Sequence, residues 1–276
     1  MRWFDPIPQF FLLIAVGCFG VMFSNPSVAE SKSNPEILTG YLSEKDLSDS
    51  IALIPPPPLQ SSAFFTADQE AYRLTRKFRD TPRWALAAED ANLAFPEVVG
   101  TFSCALGAPI TEKTTQHLYQ LMHRTRIDIS HAIQKMKIHY QRIRPFVVNK
   151  EVSCTPQDEP MLTRNGSFPS GHTATGWMWA MILTEIAPDH TDAILARGYA
   201  FGHSRVVCGV HWQSDVDAGR IIADSVVARL HANPTFRTHL EIAKVELAAT
   251  RAKGLKPTRN CQAEAEALSF QVPSIP

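Results

Sequence analysis

The sequence has no surplus of charge of either sign, because lysine and arginine together number 27 and aspartate and glutamate also number 27. A balanced chain has no general electrostatic attraction for nucleic acid or for an anionic membrane, so neither is expected as the main partner. Any affinity for an anion must then come from a local group of cations. Hydrophobic residues make up 45% of the 276 positions, which argues against a disordered chain and is enough for one ordinary core.

Long apolar runs are scarce, and the only clear one covers residues 10–23. This run is shorter than the roughly 20 residues that a membrane-spanning helix needs. With Arg2 before it and Ser27-Val28-Ala29 after it, the segment has the pattern of a secretory signal peptide. We therefore predict that residues 1–29 are removed, that the protein is periplasmic or secreted, and that nothing left after removal inserts stably into a membrane. A retained anchor and lipoprotein processing at Cys18 are the alternatives.

Cysteine is rare, with five in the chain, and four of them follow the predicted signal peptide. An even number in an oxidising compartment predicts two disulfides. Of the three pairings that four cysteines allow, we favour Cys104 with Cys154 and Cys208 with Cys261. A four-cysteine zinc site is the alternative, but no C-x-x-C pair supports it.

Strand-like alternation is absent from the sequence, whereas several segments show the three- and four-residue spacing of an amphipathic helix. Residues 30–66, which include four consecutive prolines, are predicted to form an extended arm, with a simple linker as the alternative. Such an arm suits contacts between subunits, so a homo-oligomer is among the expectations. The remainder, 67–276, is predicted to be a single all-α domain, a helical bundle. Its expected helices lie near residues 67–81, 82–93, 111–143, 170–187 and 211–231, with a loop over 146–168.

Three short clusters combine cations or imidazoles with small polar residues. In the first, Lys137 and Arg144 are seven residues apart, a spacing that places two cations on one helix face, within reach of one anion. Taken alone, a pair at this spacing is most often just part of a solvated helix face, as ordinary as Lys135 and Arg142 beside it.

The second cluster, Ser170-Gly171-His172, stands at the start of a predicted helix. Backbone N–H groups at a helix N-terminus attract an anion, and Gly171 would let that anion approach the backbone closely. Ser170 can cap the helix or donate a hydrogen bond, while His172 could supply a proton to a leaving group. A plain capped helix start with an incidental histidine has the same sequence pattern.

The third cluster contains Arg205, His211 and Asp215. The carboxylate of Asp215 can accept an N–H from one imidazole nitrogen of His211 and leave the other nitrogen as a nucleophile. An i,i+4 pair that only stabilises a helix is the alternative. Metal binding by the histidines and Asp215 is a further alternative, but no H-E-x-x-H or comparable ligand set appears, and three cations can neutralise a phosphoryl group in place of a metal.

Taken in order, the clusters match the signature of the type 2 phosphatidic acid phosphatase superfamily: Lys-x6-Arg-Pro, Pro-Ser-Gly-His and Ser-Arg-x5-His-x3-Asp. Over residues 49–220 the sequence also resembles the bacterial class A nonspecific acid phosphatases, in segments such as NGSFPSGHTATGW and SRVVCGVHWQSDVDAGR. The resemblance implies an all-helical, exported enzyme that hydrolyses phosphate monoesters with broad specificity, without a metal or another cofactor. Transfer of phosphate to acceptors other than water is a related activity.

The resemblance also implies a role for each matching residue. His211 becomes the nucleophile that forms a phosphohistidine, Asp215 its orienting partner, and His172 the acid. The phosphoryl oxygens would be held by a group of five: Lys137, Arg144, Ser170, Gly171 and Arg205. The competing functions are a vanadium-dependent haloperoxidase, since vanadate resembles the phosphoryl transition state, a lipid phosphatase and a noncatalytic anion-binding protein. His203, close to Arg205, could influence pH dependence or substrate choice.

Overall fold

The computed structural model describes residues 38–270 of the chain. The predicted signal peptide, Cys18 and residues 30–37 of the predicted arm lie outside the described residues. Within the described range the structure contains helices and no strand, so the all-α prediction is confirmed. None of the helices in this range is both long enough and apolar enough to cross a membrane.

Twelve α-helices and five short 3-10 turns lie within residues 38–270. The α-helices are α1 Ser50–Leu53, α2 Ala63–Thr75, α3 Pro82–Glu89, α4 Ser103–Leu106, α5 Gln116–Tyr140, α6 Pro145–Asn149, α7 Glu159–Leu162, α8 Gly171–Ile186, α9 Thr191–Val207, α10 Gln213–His231, α11 Pro234–Ala252 and α12 Cys261–Ser269. The 3-10 turns are Glu44–Asp46, Arg76–Phe78, Glu97–Phe102, Pro156–Asp158 and Pro188–His190.

Helix α8 lies at the centre and packs most extensively against α9 and α10, with α5 beside it. Its side chains are apolar on nearly every face, and Met178, Trp179 and Leu183 are completely buried, as expected for a helix surrounded by others. Gly198 of α9 allows the close approach, because a Cβ atom there would overlap the methyl group of Ala180. This packing brings the start of α8, the end of α9 and the start of α10 together.

The described part of the predicted arm is not extended throughout. It contains a 3-10 turn and α1, and α2 already begins at Ala63, where the Ser62 hydroxyl caps it by accepting from the Phe65 N–H. Upstream, the backbone N–H groups of Tyr41 and Leu42 donate to the carboxylate of Asp128 on α5, at 3.0 and 2.9 Å. This part of the arm therefore packs against the helical core.

The predicted loop over residues 146–168 is also partly helical, because it contains α6, a 3-10 turn and α7. Helix α5 is shorter than predicted and ends at Tyr140, since Gln141 takes a left-handed backbone conformation with φ of 44°. Arg144 consequently lies outside α5. It instead occupies the N-cap position of α6, whose first residue is Pro145.

Both disulfides differ from the pairing favoured from the sequence, which was wrong. Cys104 is bonded to Cys261, and Cys154 to Cys208. The backbone N–H of Cys154 donates to the Cys208 carbonyl at 3.0 Å, so the segment after α6 runs beside the end of α9. The other bond joins α4 to the start of α12, at a sequence separation of 157 residues. Pairing of this kind depends on how distant helices pack, which cysteine spacing does not encode.

Candidate active site

The three sequence clusters meet where α8, α9 and α10 come together. The Ser170 N–H at the start of α8 donates to the Asp215 carbonyl in the first turn of α10, at 2.9 Å. Gly219, one turn further along α10, is required by this contact, because a Cβ atom there would lie 2.7 Å from the Ser170 carbonyl oxygen. The second and third clusters are thus held together through the backbone.

His211 precedes α10, so the His211–Asp215 pair is not a pair within a helix. The imidazole Nδ1 lies 3.2 Å from Asp215 Oδ2, and the same oxygen accepts the Trp212 N–H at 2.9 Å. Both side chains are buried, with 3% of His211 and none of Asp215 exposed. A pair that only stabilised a helix surface would be exposed, and a buried, oriented pair favours the functional interpretation.

The environment of His211 keeps its imidazole neutral. Burial lowers its pKa well below the ordinary value, and the charges of Arg144, Lys137 and Arg205 lower it further. Asp215 accepts at Nδ1, which puts the proton of the neutral ring on that nitrogen. Nη1 of Arg144 lies 3.2 Å from Nε2, and a guanidinium can only donate. Nε2 therefore carries a lone pair that faces the cations.

Arg144 and Lys137 converge as predicted, but not from one helix face. Lys137 lies in the last turn of α5, and its Nζ donates to the Gly166 carbonyl at 2.7 Å. Arg144 reaches the same carbonyl from outside the helix, with Nη2 3.3 Å away. Its other nitrogens donate to the carbonyls of Leu162, Asn165 and Val210, so the guanidinium is fixed on all sides.

Burial makes the charge of Lys137 sensitive to pH. Desolvation lowers the pKa of its ammonium group to about 7, and the neighbouring Arg144 adds to the effect while Asp215 opposes it. The pKa of Arg144 is lowered to about 10, again chiefly by burial, so this arginine keeps its charge at acid and neutral pH.

Arg205 differs from Arg144 in that its donors are unsatisfied. Only 2% of the residue is exposed, and among the described residues neither Nε nor Nη1 has a hydrogen-bond partner. Burial, with Arg144 nearby, lowers its pKa to about 10, so the guanidinium is charged in the ligand-free protein. A buried charge with unmet donors is unfavourable by itself and becomes favourable when an anion binds.

The start of α8 is a capped helix N-terminus with open space beside it, the geometry on which the prediction of an anion cradle depends. Ser170 is fully buried and caps the helix, accepting from the Thr173 N–H at 3.3 Å. Nothing obstructs the next residue, since a Cβ atom on Gly171 would meet only the Ile133 side chain, at 3.7 Å. His172 follows in the first turn.

His172 is more accessible than His211 and Asp215, being partly rather than fully buried. Its Nε2 lies 2.9 Å from the Ala91 carbonyl, and a carbonyl oxygen only accepts. The neutral ring therefore carries its proton on Nε2 and presents Nδ1 as its free nitrogen. Burial and then Arg205 lower the pKa of His172 well below its ordinary value, while the bond to Ala91 opposes the shift.

Arg142, which the sequence gave no reason to single out, is part of this site. It is buried between two carboxylates, with Nη2 2.7 Å from Asp68 and Nη1 2.5 Å from Asp215. Ser214 completes the group, because its N–H and hydroxyl both donate to Asp68. The only sequence signal for Arg142 is its place two residues before Arg144, and Asp68 lies 74 positions away.

Similarity to known proteins agrees with this geometry. The model of the PAP2 superfamily matches residues 125–238, a range that contains all eight predicted catalytic and phosphate-binding residues. A non-specific acid phosphatase of Providencia stuartii is 44% identical over 241 residues, which cover 86% of this chain and 97% of that protein. An acid phosphatase of Zymomonas mobilis is 37% identical over 91% of this chain and 94% of its own length. A non-specific acid phosphatase of Salmonella typhimurium is 36% identical over 82% of this chain and 91% of its own length.

This chain belongs to the non-specific acid phosphatase family of the PAP2 superfamily.

In this member of the family, the pKa of His203 lies far below that of an ordinary histidine. The residue is 7% exposed, and burial, with Arg83 and Arg220 nearby, lowers its pKa to about 3. The imidazole is consequently neutral from mildly acid pH upwards.

Across residues 38–270, no group of three or more His, Cys, Asp or Glu side chains is arranged to hold a metal ion.

Proposed function

We propose that this acid phosphatase hydrolyses phosphate monoesters of broad specificity through a phosphohistidine intermediate on His211. The observation that carries the proposal is the lone pair on His211 Nε2, which faces a buried group of cations. A neutral imidazole in such a place can attack phosphorus, while the cations neutralise the oxygens of the transferring group.

Three cations and one helix N-terminus would hold the phosphoryl group. Arg205 offers two unpaired nitrogens, and Lys137, which already donates to the carbonyls of Gly166 and Ser167, offers its third ammonium proton. The backbone at Gly171 offers the start of α8. Arg144 is already fixed by four carbonyls and supplies its charge from a rigid position. Catalysis then consists mainly of positioning and charge neutralisation, as is general for phosphoryl transfer.

In the first step, the Nε2 lone pair of His211 attacks phosphorus and the bond from phosphorus to the leaving oxygen breaks. The bound phosphate ester offsets the charge of Arg205, which lowers the pKa of His172 in the ligand-free protein, and so favours the imidazolium form of His172. The leaving oxygen takes the Nδ1 proton of this imidazolium, and Asp215 stabilises the positive charge that develops on His211. In the second step, His172, now neutral, takes a proton from water as the water oxygen attacks phosphorus. The phosphorus–nitrogen bond breaks and inorganic phosphate leaves.

The same second step would transfer phosphate to an alcohol if a hydroxyl compound replaced water. Haloperoxidase activity is not favoured, because the matched relatives are named acid phosphatases. An assay with vanadate, halide and peroxide separates the two functions, since a phosphatase is expected only to be inhibited by vanadate.

The proposal is tested by trapping the intermediate. Wild-type enzyme and a His211→Ala variant are mixed with labelled p-nitrophenyl phosphate in the presence of a chelator and quenched. We expect an acid-labile, base-stable phosphoenzyme in the wild type and neither label nor turnover in the variant. A His231→Ala variant is the matched control, because His231 also contacts a carboxylate, Glu185 at 2.8 Å, but on the surface. Undiminished turnover by the His211 variant would overturn the mechanism.

We also propose that the protein is exported to the periplasm or secreted, with residues 1–29 removed as a signal peptide. The two disulfides support this, since they persist in oxidising compartments. N-terminal sequencing of the mature protein is expected to begin at Glu30. A lipid-modified Cys18 at the N-terminus would show lipoprotein processing instead.

A further inference from the structure

A buried carboxylate outside the signature lies directly behind the proposed proton donor. Asp90 is completely buried, and it forms a two-pronged ion pair with Arg197, with Nη2 2.6 Å from Oδ1 and Nη1 3.2 Å from Oδ2. The Ser204 hydroxyl donates to Oδ2 at 2.6 Å. Every oxygen of this carboxylate is therefore engaged, and the side chain cannot rotate without breaking charge-assisted hydrogen bonds.

Asp90 is placed so that it fixes two parts of the active site. It follows the last residue of α3, with its N–H bonded to the Leu86 carbonyl, and it immediately precedes Ala91. The Ala91 carbonyl is the group that accepts from His172 Nε2. Its partner Ser204 immediately precedes Arg205, whose Nε and Nη1 have no hydrogen-bond partner among the described residues. Asp90 is thus adjacent in the chain to the carbonyl that contacts His172, and its hydrogen-bond partner Ser204 is adjacent in the chain to Arg205.

We propose that Asp90 is a positioning residue that holds the Ala91 carbonyl against His172 and so keeps the proton donor in the orientation that protonates the leaving oxygen. The inference rests on the proposed role of His172 as the acid. With Nε2 held by the carbonyl, Nδ1 is the only ring nitrogen left to face the substrate. The carbonyl also favours the imidazolium form, because it accepts a hydrogen bond from a charged donor.

The C-terminal helix supports this arrangement from outside. Arg197 Nε lies 3.2 Å from Glu264 Oε2 on α12, and α12 begins at Cys261, which is bonded to Cys104. Arg197 is itself 2% exposed. The ion pair that fixes Asp90 is therefore buried beneath a helix that a disulfide ties to the core.

A positioning role for the acid predicts a dependence on the leaving group. An alkoxide is a poor leaving group and needs a proton as its bond to phosphorus breaks, whereas p-nitrophenolate is stable enough to leave without one. Loss of the proton donor should therefore slow the hydrolysis of an alkyl phosphate far more than that of an aryl phosphate. A defect that only loosens the fold slows both substrates to the same extent.

The test compares kcat/KM for glycerol 2-phosphate and for p-nitrophenyl phosphate in wild type, Asp90→Asn and Asp128→Asn. Asparagine keeps the size of the side chain and removes its charge. Asp128 is the matched control, because it is also fully buried and accepts two hydrogen bonds, from Tyr41 and Leu42, but has no contact with the site. For Asp90→Asn we expect a loss of about 10- to 100-fold on the alkyl ester and less than about 3-fold on the aryl ester. For Asp128→Asn we expect kcat/KM to change by the same factor for the alkyl ester and for the aryl ester.

Equal losses on the two esters in Asp90→Asn, or no loss on either, would overturn the inference. If Asp90→Asn does not accumulate as folded protein, the same two substrates are compared in Arg197→Lys. This variant keeps the positive charge but removes the two-pronged contact with Asp90, and a selective loss on the alkyl ester is again expected. His172→Ala separates the inference from the mechanism beneath it. If His172→Ala shows the selective loss and Asp90→Asn does not, only the positioning role fails; if His172→Ala lacks it, the acid role itself fails.

Discussion

Arg142 Nη1 lies 2.5 Å from Asp215 Oδ1, on the oxygen of that carboxylate that His211 does not use. The two oxygens of Asp215 therefore have different partners: Oδ1 accepts from Arg142, and Oδ2 contacts the imidazole of His211. Because Arg142 is also paired with Asp68, its charge lies between two buried carboxylates. The orientation of His211 thus depends on residues outside the family signature.

Replacing Arg142 with glutamine should damage both stability and turnover. The variant removes the cation that is hydrogen-bonded to both buried carboxylates, and breaking a buried pair in this way costs about 3–5 kcal/mol of unfolding free energy. We expect kcat to fall about 10- to 100-fold, because Asp215 can then turn away from His211. Urea unfolding and steady-state kinetics measure the two effects. Arg79→Gln is the control, since its pair with Glu151 is exposed; a variant at Arg142 with wild-type kcat would contradict the orienting role.

Replacement by methionine should lower the stability of the protein at Arg144 but not at Arg205. In Arg205→Met a buried charge with two unpaired nitrogens disappears, so we expect unchanged or higher stability together with at least a tenfold weaker competitive inhibition by phosphate. In Arg144→Met four carbonyls lose their donors, so we expect a clear loss of stability as well. Thermal unfolding without ligand distinguishes them. A marked destabilisation by Arg205→Met would show that its donors have partners in the folded protein.

The sequence was sufficient to predict the local structure around several residues of the candidate site, whose roles remain predictions. Ser170, Gly171 and His172 form the start of a helix, and the residue types that cap a helix and bind an anion occur together there. The same holds for His211 and Asp215, although their contact crosses the start of α10 rather than lying within it. The helix predicted over residues 111–143 was too long, because left-handed Gln141 ends α5 at Tyr140, and Lys137 and Arg144 therefore do not share a helix face.

The supporting residues could not be predicted, because their partners are far away in the chain. Asp68 and Arg142 are 74 positions apart, and Asp90 and Arg197 are 107 apart. Helix α9 was missed for a related reason, since it buries Arg197, His203 and Arg205 and so shows no simple apolar stripe. Charged side chains are normally exposed, and only the assembled fold shows that these are paired inside it.

Changing Gly219 or Gly171 of the site to alanine should affect the stability of the protein differently. In Gly219→Ala the new methyl group would lie 2.7 Å from the Ser170 carbonyl, which is backbone and cannot move aside, so we expect lower stability and lower activity together. In Gly171→Ala the methyl group meets only Ile133 at an ordinary distance, so we expect normal unfolding but weaker inhibition by phosphate. Normal phosphate binding by Gly171→Ala would show that the anion does not approach this part of the backbone.

The pKa of Lys137 predicts how phosphate binding changes with pH. Its value of about 7 lies below the 10.5 of a free lysine, so the ammonium form is present below pH 7 and is lost as the pH rises through that value. We expect the inhibition constant for phosphate to rise up to about tenfold between pH 6 and 8 as this charge disappears. Phosphate itself titrates in the same range, so the informative quantity is the ratio of the inhibition constants of wild type and Lys137→Arg at each pH. Arginine keeps its charge throughout, and the ratio should therefore grow with pH; a constant ratio would show that Lys137 does not lose its charge in this range.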